Sequence, residues 1–161
     1  MSKRMIAWLL KGVVLFAAAV FVFAGAYVVP RFIAWNLYYA PEVAPVVTPA
    51  IVSINLAFVT VYVSLFLAWQ IFSSIPKDES FSLKNARRFK IITLMALLGT
   101  LLLILFMWWA LAFHAALVFP FMVIFAGVLF FVGLLSALIC YALSQLVAQA
   151  AALKEEADYT V

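Results

Sequence analysis

Three acidic side chains within four residues, Glu155, Glu156 and Asp158, are the densest set of groups in this sequence that could move a proton. Acid–base catalysis needs such groups held in an enclosed pocket, and a cluster at the solvated end of a chain has no enclosure. The other reactive residue types stand alone. His114 is the single histidine, has no second ligand near it, and reads as an interfacial residue rather than a metal ligand. Cys140 is the single cysteine, which excludes an internal disulfide or a multi-cysteine metal site and leaves it as a small packing residue. There is no glycine-rich phosphate loop, nucleophile elbow or pair of catalytic carboxylates. The expectation is a non-enzymatic protein with no catalytic residues, no metal and no cofactor.

The elements that position these groups are unusual for a chain of this size. Of 161 residues only 10% are charged and the mean hydropathy is +1.26, whereas a soluble domain carries about 25% charged residues. The apolar residues come in unbroken runs rather than at a helical or strand period with polar faces, so the bilayer must be the solvent. A spanning helix needs about 20 apolar residues to cross a hydrocarbon core about 30 Å thick. Four runs meet that condition, at about 12–29, 51–75, 91–111 and 121–143. Backbone groups in hydrocarbon must be satisfied within their own segment, and the alternation of a barrel is absent, so each run is read as a helix. The predicted fold class is all-α: a polytopic membrane protein of one four-helix domain over 1–161. The basic start and the Ala24-Gly25-Ala26 tripeptide resemble a signal peptide, but the run is long enough to span and is read as an uncleaved first helix.

Orientation follows from lysine and arginine. Lys3, Arg4 and Lys11 flank the first run, and the 76–90 loop holds Lys77, Lys84, Arg87, Arg88 and Lys90 against Asp78 and Glu79. The 30–50 segment offers only Arg31 and Glu42, so the positive-inside rule puts both termini and the central loop in the cytoplasm. Trp8 then lies at the inner boundary, and Trp35, Tyr38, Tyr39, Trp108 and Trp109 at the outer one, as amphipathic rings prefer. "RFIAWNLYY" is predicted as a short interfacial helix. Prolines at 41, 45 and 49 predict that the stretch after it is extended.

Lipid tails give helices no hydrophobic reason to associate, so small residues and interhelical hydrogen bonds must hold them together. In the fourth run Ala126, Gly133, Ala137, Cys140, Ser144, Ala148 and Ala151 fall on one narrow stripe, the expected close contact, made within one chain or between copies in a homo-oligomer. In the second run Ser53, Thr60 and Ser64 share one side and Asn55, Tyr62 and Trp69 the other. Asn55 is the most polar residue well inside a span and is expected to bond another helix, with Thr93 and Thr100 of the third run as candidate partners. If these residues lined a cavity instead, the chain would be a small permease or channel subunit, or a binder of lipid or another hydrophobic molecule. No carboxylate lies inside a span, so no proton or ion pathway is marked.

The cytoplasmic face holds the remaining information. Ser82 is placed to cap a helix running into the third span, with Lys84, Arg87 and Arg88 on one side of it. The fourth helix keeps helical spacing past the membrane over 144–161: Leu146, Ala150, Leu153 and Ala157 form one face, with Gln145, Gln149 and Glu156 opposite. The loop has five cations against two anions and the tail three anions against Lys154, so the tail is expected to dock on the loop or to share a partner with it. The basic flanks match anionic lipid headgroups, making membrane lipids a partner, and there is no surface for direct nucleic-acid binding. The predicted interaction surface is therefore Phe81, Ser82, Lys84, Asn85, Arg87, Arg88, Leu153, Glu155, Glu156 and Asp158.

Phe81, Ser82, Asn85 and Arg88 resemble the "F-S-x-x-N-x-x-R" entry to the third helix of the YoaS-like family, small bacterial integral membrane proteins of unknown function. "LKEEADYTV", Leu153 to Val161, resembles that family's "L-K-E-E-N-D-L-T-I" ending, with Ala157 in place of Asn and Tyr159 in place of Leu. The resemblance implies a four-span protein of the bacterial inner membrane. It also implies a regulatory role, since members are often encoded beside a small helix-turn-helix regulator that such a protein could hold at the cytoplasmic face.

Overall fold

The structure is a computed structural model and describes residues 2–39, 41, 44–77, 79–112 and 120–159. The described residues are helical nearly throughout: α1 (Lys3–Phe23), a π-helical turn (Ala24–Val28), α2 (Val29–Tyr39), α3 (Ala44–Ser74), a 3₁₀ turn (Ile75–Lys77), α4 (Leu83–Ala112) and α5 (Pro120–Tyr159). Four helical stretches, Lys3–Arg31, Val47–Lys77, Leu83–Leu105 and Gly127–Glu156, are long and apolar enough to cross a membrane. His114, Glu42 and Asp78 lie outside the described residues, as do the side chains of Trp35, Tyr39, Trp109, Ala126, Ala157 and Asp158.

The first helix does not stop where the first apolar run ends. It continues through the π turn into α2, so "RFIAWNLYY" is helical but is joined directly to α1. The widened turn has a cause in the sequence. Pro30 has no N–H to donate and its ring crowds the carbonyl one turn back, and the backbone relieves this by an i→i−5 bond from the Val29 N–H to the Ala24 carbonyl.

The stretch predicted to be extended is a correction. α3 begins at Ala44 and includes both Pro45 and Pro49. The first N–H groups of a helix have no internal partner, so Pro45 loses nothing there, and Pro49 is still close enough to the start to cost one bond only. The apolar pattern after residue 50 therefore propagates backwards through the prolines instead of starting beyond them.

The close contacts run in chain order: α1 packs on α3, α3 on α4 and α4 on α5. Glycines and threonines set the two tightest. A Cβ added at Gly99 of α4 would lie 2.9 Å from Thr60 Oγ1 of α3, and one added at Gly133 of α5 would lie 2.6 Å from Thr100 Oγ1 of α4. Each threonine sits over a glycine of the next helix while its hydroxyl donates to its own helix, Thr60 to the Ala57 carbonyl at 2.8 Å and Thr100 to the Ala96 carbonyl at 2.7 Å. The small-residue stripe of α5 is the face that meets α4, with Ala137 and Ser144 buried. The α1–α3 contact is looser and aromatic: Phe21 meets Phe58 edge-on at 6.1 Å, and Lys11 Nζ lies 5.0 Å from the Trp69 ring centre.

Threonine is stiff about χ1, so it cannot swing clear of an added methyl without losing its bond. Gly133→Ala and Gly99→Ala should each destabilise the protein by about 1–3 kcal/mol through overpacking. Gly12→Ala, where an added Cβ meets nothing within 4 Å, should be neutral or stabilising. Thermal unfolding in detergent micelles reads all three, and equal midpoints for Gly133→Ala and Gly12→Ala would contradict the packing described.

Candidate functional site

A set of polar groups that reach across elements gathers at one end of the described residues, where α3 ends, α4 begins and α5 passes. Ser82 caps α4 as its sequence position predicts, accepting from the Asn85 N–H at 3.3 Å on its hydroxyl and from the Ala86 N–H at 3.0 Å on its carbonyl. The end of α3 is closed by Ser74, whose carbonyl accepts from the Glu79 N–H at 3.3 Å and whose hydroxyl donates to the Ile71 carbonyl at 2.6 Å. Between these two ends lies Asn85, 1% exposed and the largest fully buried side chain of the described residues.

Asn85 is bonded on every side. Its Nδ2 donates to Ser74 Oγ at 2.7 Å and to the Glu79 and Ser80 carbonyls at 3.1 Å each, while its Oδ1 accepts from Arg88 Nη1 at 2.8 Å. Carbonyls can only accept and a guanidinium can only donate, so a single orientation of the amide suits all four neighbours, its two N–H hydrogens being shared among the three acceptors. Arg88 Nη1 also approaches the Gln70 carbonyl of α3 at 3.5 Å. A further bond ties in the last helix: Ser144 Oγ of α5 donates to the Ala86 carbonyl at 3.0 Å. A buried amide left unbonded costs about 1–3 kcal/mol, so this arrangement fixes the path of the 75–82 connection.

The predicted surface residues thus divide into two kinds. Ser82, Asn85 and Arg88 point inward or along the backbone and hold elements together; the expected one-sided basic row of Lys84, Arg87 and Arg88 is broken because Arg88 is drawn to the Asn85 carbonyl oxygen. Lys84, Arg87 and Lys90 remain exposed, together with Phe81 at 61%. On α5, Leu153, Glu155 and Glu156 are exposed. The helix is unbroken to Tyr159, so Glu155, eleven residues past Ser144, stands about 16 Å further along the axis and does not fold back over the start of α4.

The intramembrane residues are placed differently from the expectation. Asn55 is exposed and donates to the Ile51 carbonyl of its own helix at 2.8 Å. Tyr62 is 37% exposed, with its ring 6.5 Å from that of Phe58. Thr93 is buried but donates to the Phe89 carbonyl at 3.0 Å, and Thr100 faces Gly133 rather than Asn55. Sequence reasoning missed the Ser74–Asn85 bond, the Ser144–Ala86 bond and the Lys11–Trp69 contact. The first two join residues with no mutual spacing signal. Trp69 lay on the face of the second run assigned to Asn55, which is why its cationic partner went unnoticed.

Asn85→Leu should lower stability by about 1–3 kcal/mol and expose the connection, read as a lower unfolding midpoint and faster tryptic cleavage at Lys77. Asn85→Asp should recover little, because it offers Arg88 an acceptor but turns a carboxylate oxygen toward the Glu79 and Ser80 carbonyls. Unchanged melting and cleavage in both would show that the amide is dispensable.

Comparison with known proteins adds a family and no activity. No curated protein and no solved structure matches the chain. The family described as "Protein of unknown function (DUF2975)" matches residues 38–161, a stretch that takes in α3, α4, α5, the buried Asn85 and the acidic end. The chain belongs to that family.

Proposed function

We propose that the protein is a non-enzymatic membrane protein whose working surface is the end carrying the 76–90 loop and the 144–161 extension, and that this end faces the cytoplasm. The observation that carries this reading is the distribution of polar groups. Within the spans, Asn55, Thr60, Ser64, Thr93, Thr100 and Ser136 each bond a carbonyl of their own helix, whereas the side-chain bonds described above that cross between elements lie at the basic end. A solute pathway needs polar groups turned toward a shared lining, and an interaction protein needs them at one aqueous face. Lysine and arginine asymmetry supports a cytoplasmic position for that face, with both termini on the same side.

On this reading Lys84, Arg87 and Lys90 beside the exposed Phe81 engage anionic headgroups or an acidic segment, and Glu155, Glu156 and Asp158 present negative charge to a basic partner. A small helix-turn-helix regulator, as the YoaS-like resemblance implies, has the basic surface required, and the inner membrane of a bacterium is the matching location. The protein itself would not contact nucleic acid.

Two measurements test this. In a Cys140→Ser background, single cysteines at Arg87 and Glu155 should resist an impermeant maleimide in intact cells and react in inverted vesicles; labelling of the two from opposite sides would end the proposal. Quantitative affinity capture with the full-length protein should then lose the same soluble partner on Glu155→Lys with Glu156→Lys. Identical captured sets for the wild type and this variant would count against the acidic end as the working surface.

A further inference from the structure

α5 carries a second pattern, distinct from the stripe that meets α4. Steps of three and four residues lead from Leu129 through Val132, Ser136 and Ile139 to Leu143, then on through Leu146 and Ala150 to Leu153. All of these are exposed except the half-buried Ala150. The chain's own contact uses Gly133, Ala137, Ser144 and Val147, which lie about a fifth to a third of a turn away at 100° per residue. The eight-residue seam is therefore unoccupied by the other described helices, over 25 residues or about 36 Å of helix.

Inside a bilayer an exposed apolar row needs no explanation, because lipid covers it. Here the row runs on into the 144–161 extension, which on the topology proposed above leaves the hydrocarbon for headgroups and water. Ser144 is level with Ala86 in the first turn of α4, beside the buried polar groups of the basic end, so Leu146 and Leu153 stand beyond it. They are 61% and 66% exposed, while Gln145, Gln149, Lys154 and Glu155 around them are polar. Apolar residues every 3.5 positions are the spacing at which a second helix stays in register by a left-handed supercoil.

We infer that α5 pairs in parallel with α5 of a second copy of this chain, as a coiled coil that begins within the membrane and continues along the extension. Several features select a second copy as the occupant. Insertion gives every copy the same orientation, so two α5 helices are parallel with identical residues level, as a seam of this kind requires. Across a parallel pair the flanking positions bring Gln149 opposite Lys154, so no like charges face each other there. The extension alone has about two heptads, too short to hold in water, and the membrane part of the seam, with Ser136 as a small polar contact, supplies the rest. Confinement to one bilayer raises the effective concentration of the two copies. This inference concerns assembly and stands apart from what the basic end binds.

Disulfide trapping of the full-length protein in its native membrane tests it. On a Cys140→Ser background, Leu146→Cys and Leu153→Cys should give oxidised dimers in yields several-fold above Gln145→Cys and Glu155→Cys, which point away from the seam. All four positions are exposed, so none of the substitutions disturbs the chain's own packing. Equal yields at the four positions, no dimer at any, or trapping to a protein of another mass at 146 and 153 would each overturn the proposal. As a second reading, Leu146→Glu with Leu153→Glu should convert the dimer to monomer in mild detergent without lowering the unfolding midpoint of the monomer; a species that stays dimeric would overturn it too.

Discussion

Hydrocarbon offers no hydrogen bond, and nearly every feature of this molecule answers to that. The spans are helices because a helix satisfies its own backbone. Their hydroxyls and the Asn55 amide return to carbonyls of the same helix for the same reason. With polar atoms occupied in this way, helix association falls to shape: threonine over glycine at Thr60–Gly99 and Thr100–Gly133 lets α3, α4 and α5 approach closely. Among the bonds described above, those that cross between elements lie at the basic end, where they centre on one amide, Asn85.

That amide changes the meaning of the charged loop. A row of lysines and arginines after a span can be no more than a topological anchor, and Lys84, Arg87 and Lys90 are free to be that. Arg88 has a different task, since its guanidinium fills the one acceptor that Asn85 has left and reaches back to the end of α3. The loop is thus a fastened joint among α3, α4 and α5 with a basic outer surface, and the surface is presented at a fixed angle because the joint is satisfied internally.

Much of this architecture was legible beforehand. Apolar length marked four helices able to span a membrane, Ser82 marked the start of α4, and the glycine, alanine and serine spacing of α5 marked the face that meets α4. Each of these signals is local or periodic. What was not legible depended on two residues meeting without a shared period: Ser74 with Asn85 across a turn, Ser144 with the Ala86 carbonyl, Lys11 with Trp69. The prolines misled because their effect depends on position relative to a helix start, and that start was itself decided by the apolar run after them. Asn55 misled because a side-chain amide can reach a carbonyl one turn back, an option that composition does not reveal.

The π turn before Pro30 has a geometric result of its own. One additional residue per turn slips the azimuth of everything after it by about 100° relative to a continuous α-helix. The face α2 shows its surroundings is consequently phased independently of the face α1 lays on α3, and the two halves of a single rod can meet differently facing neighbours without any break in the chain.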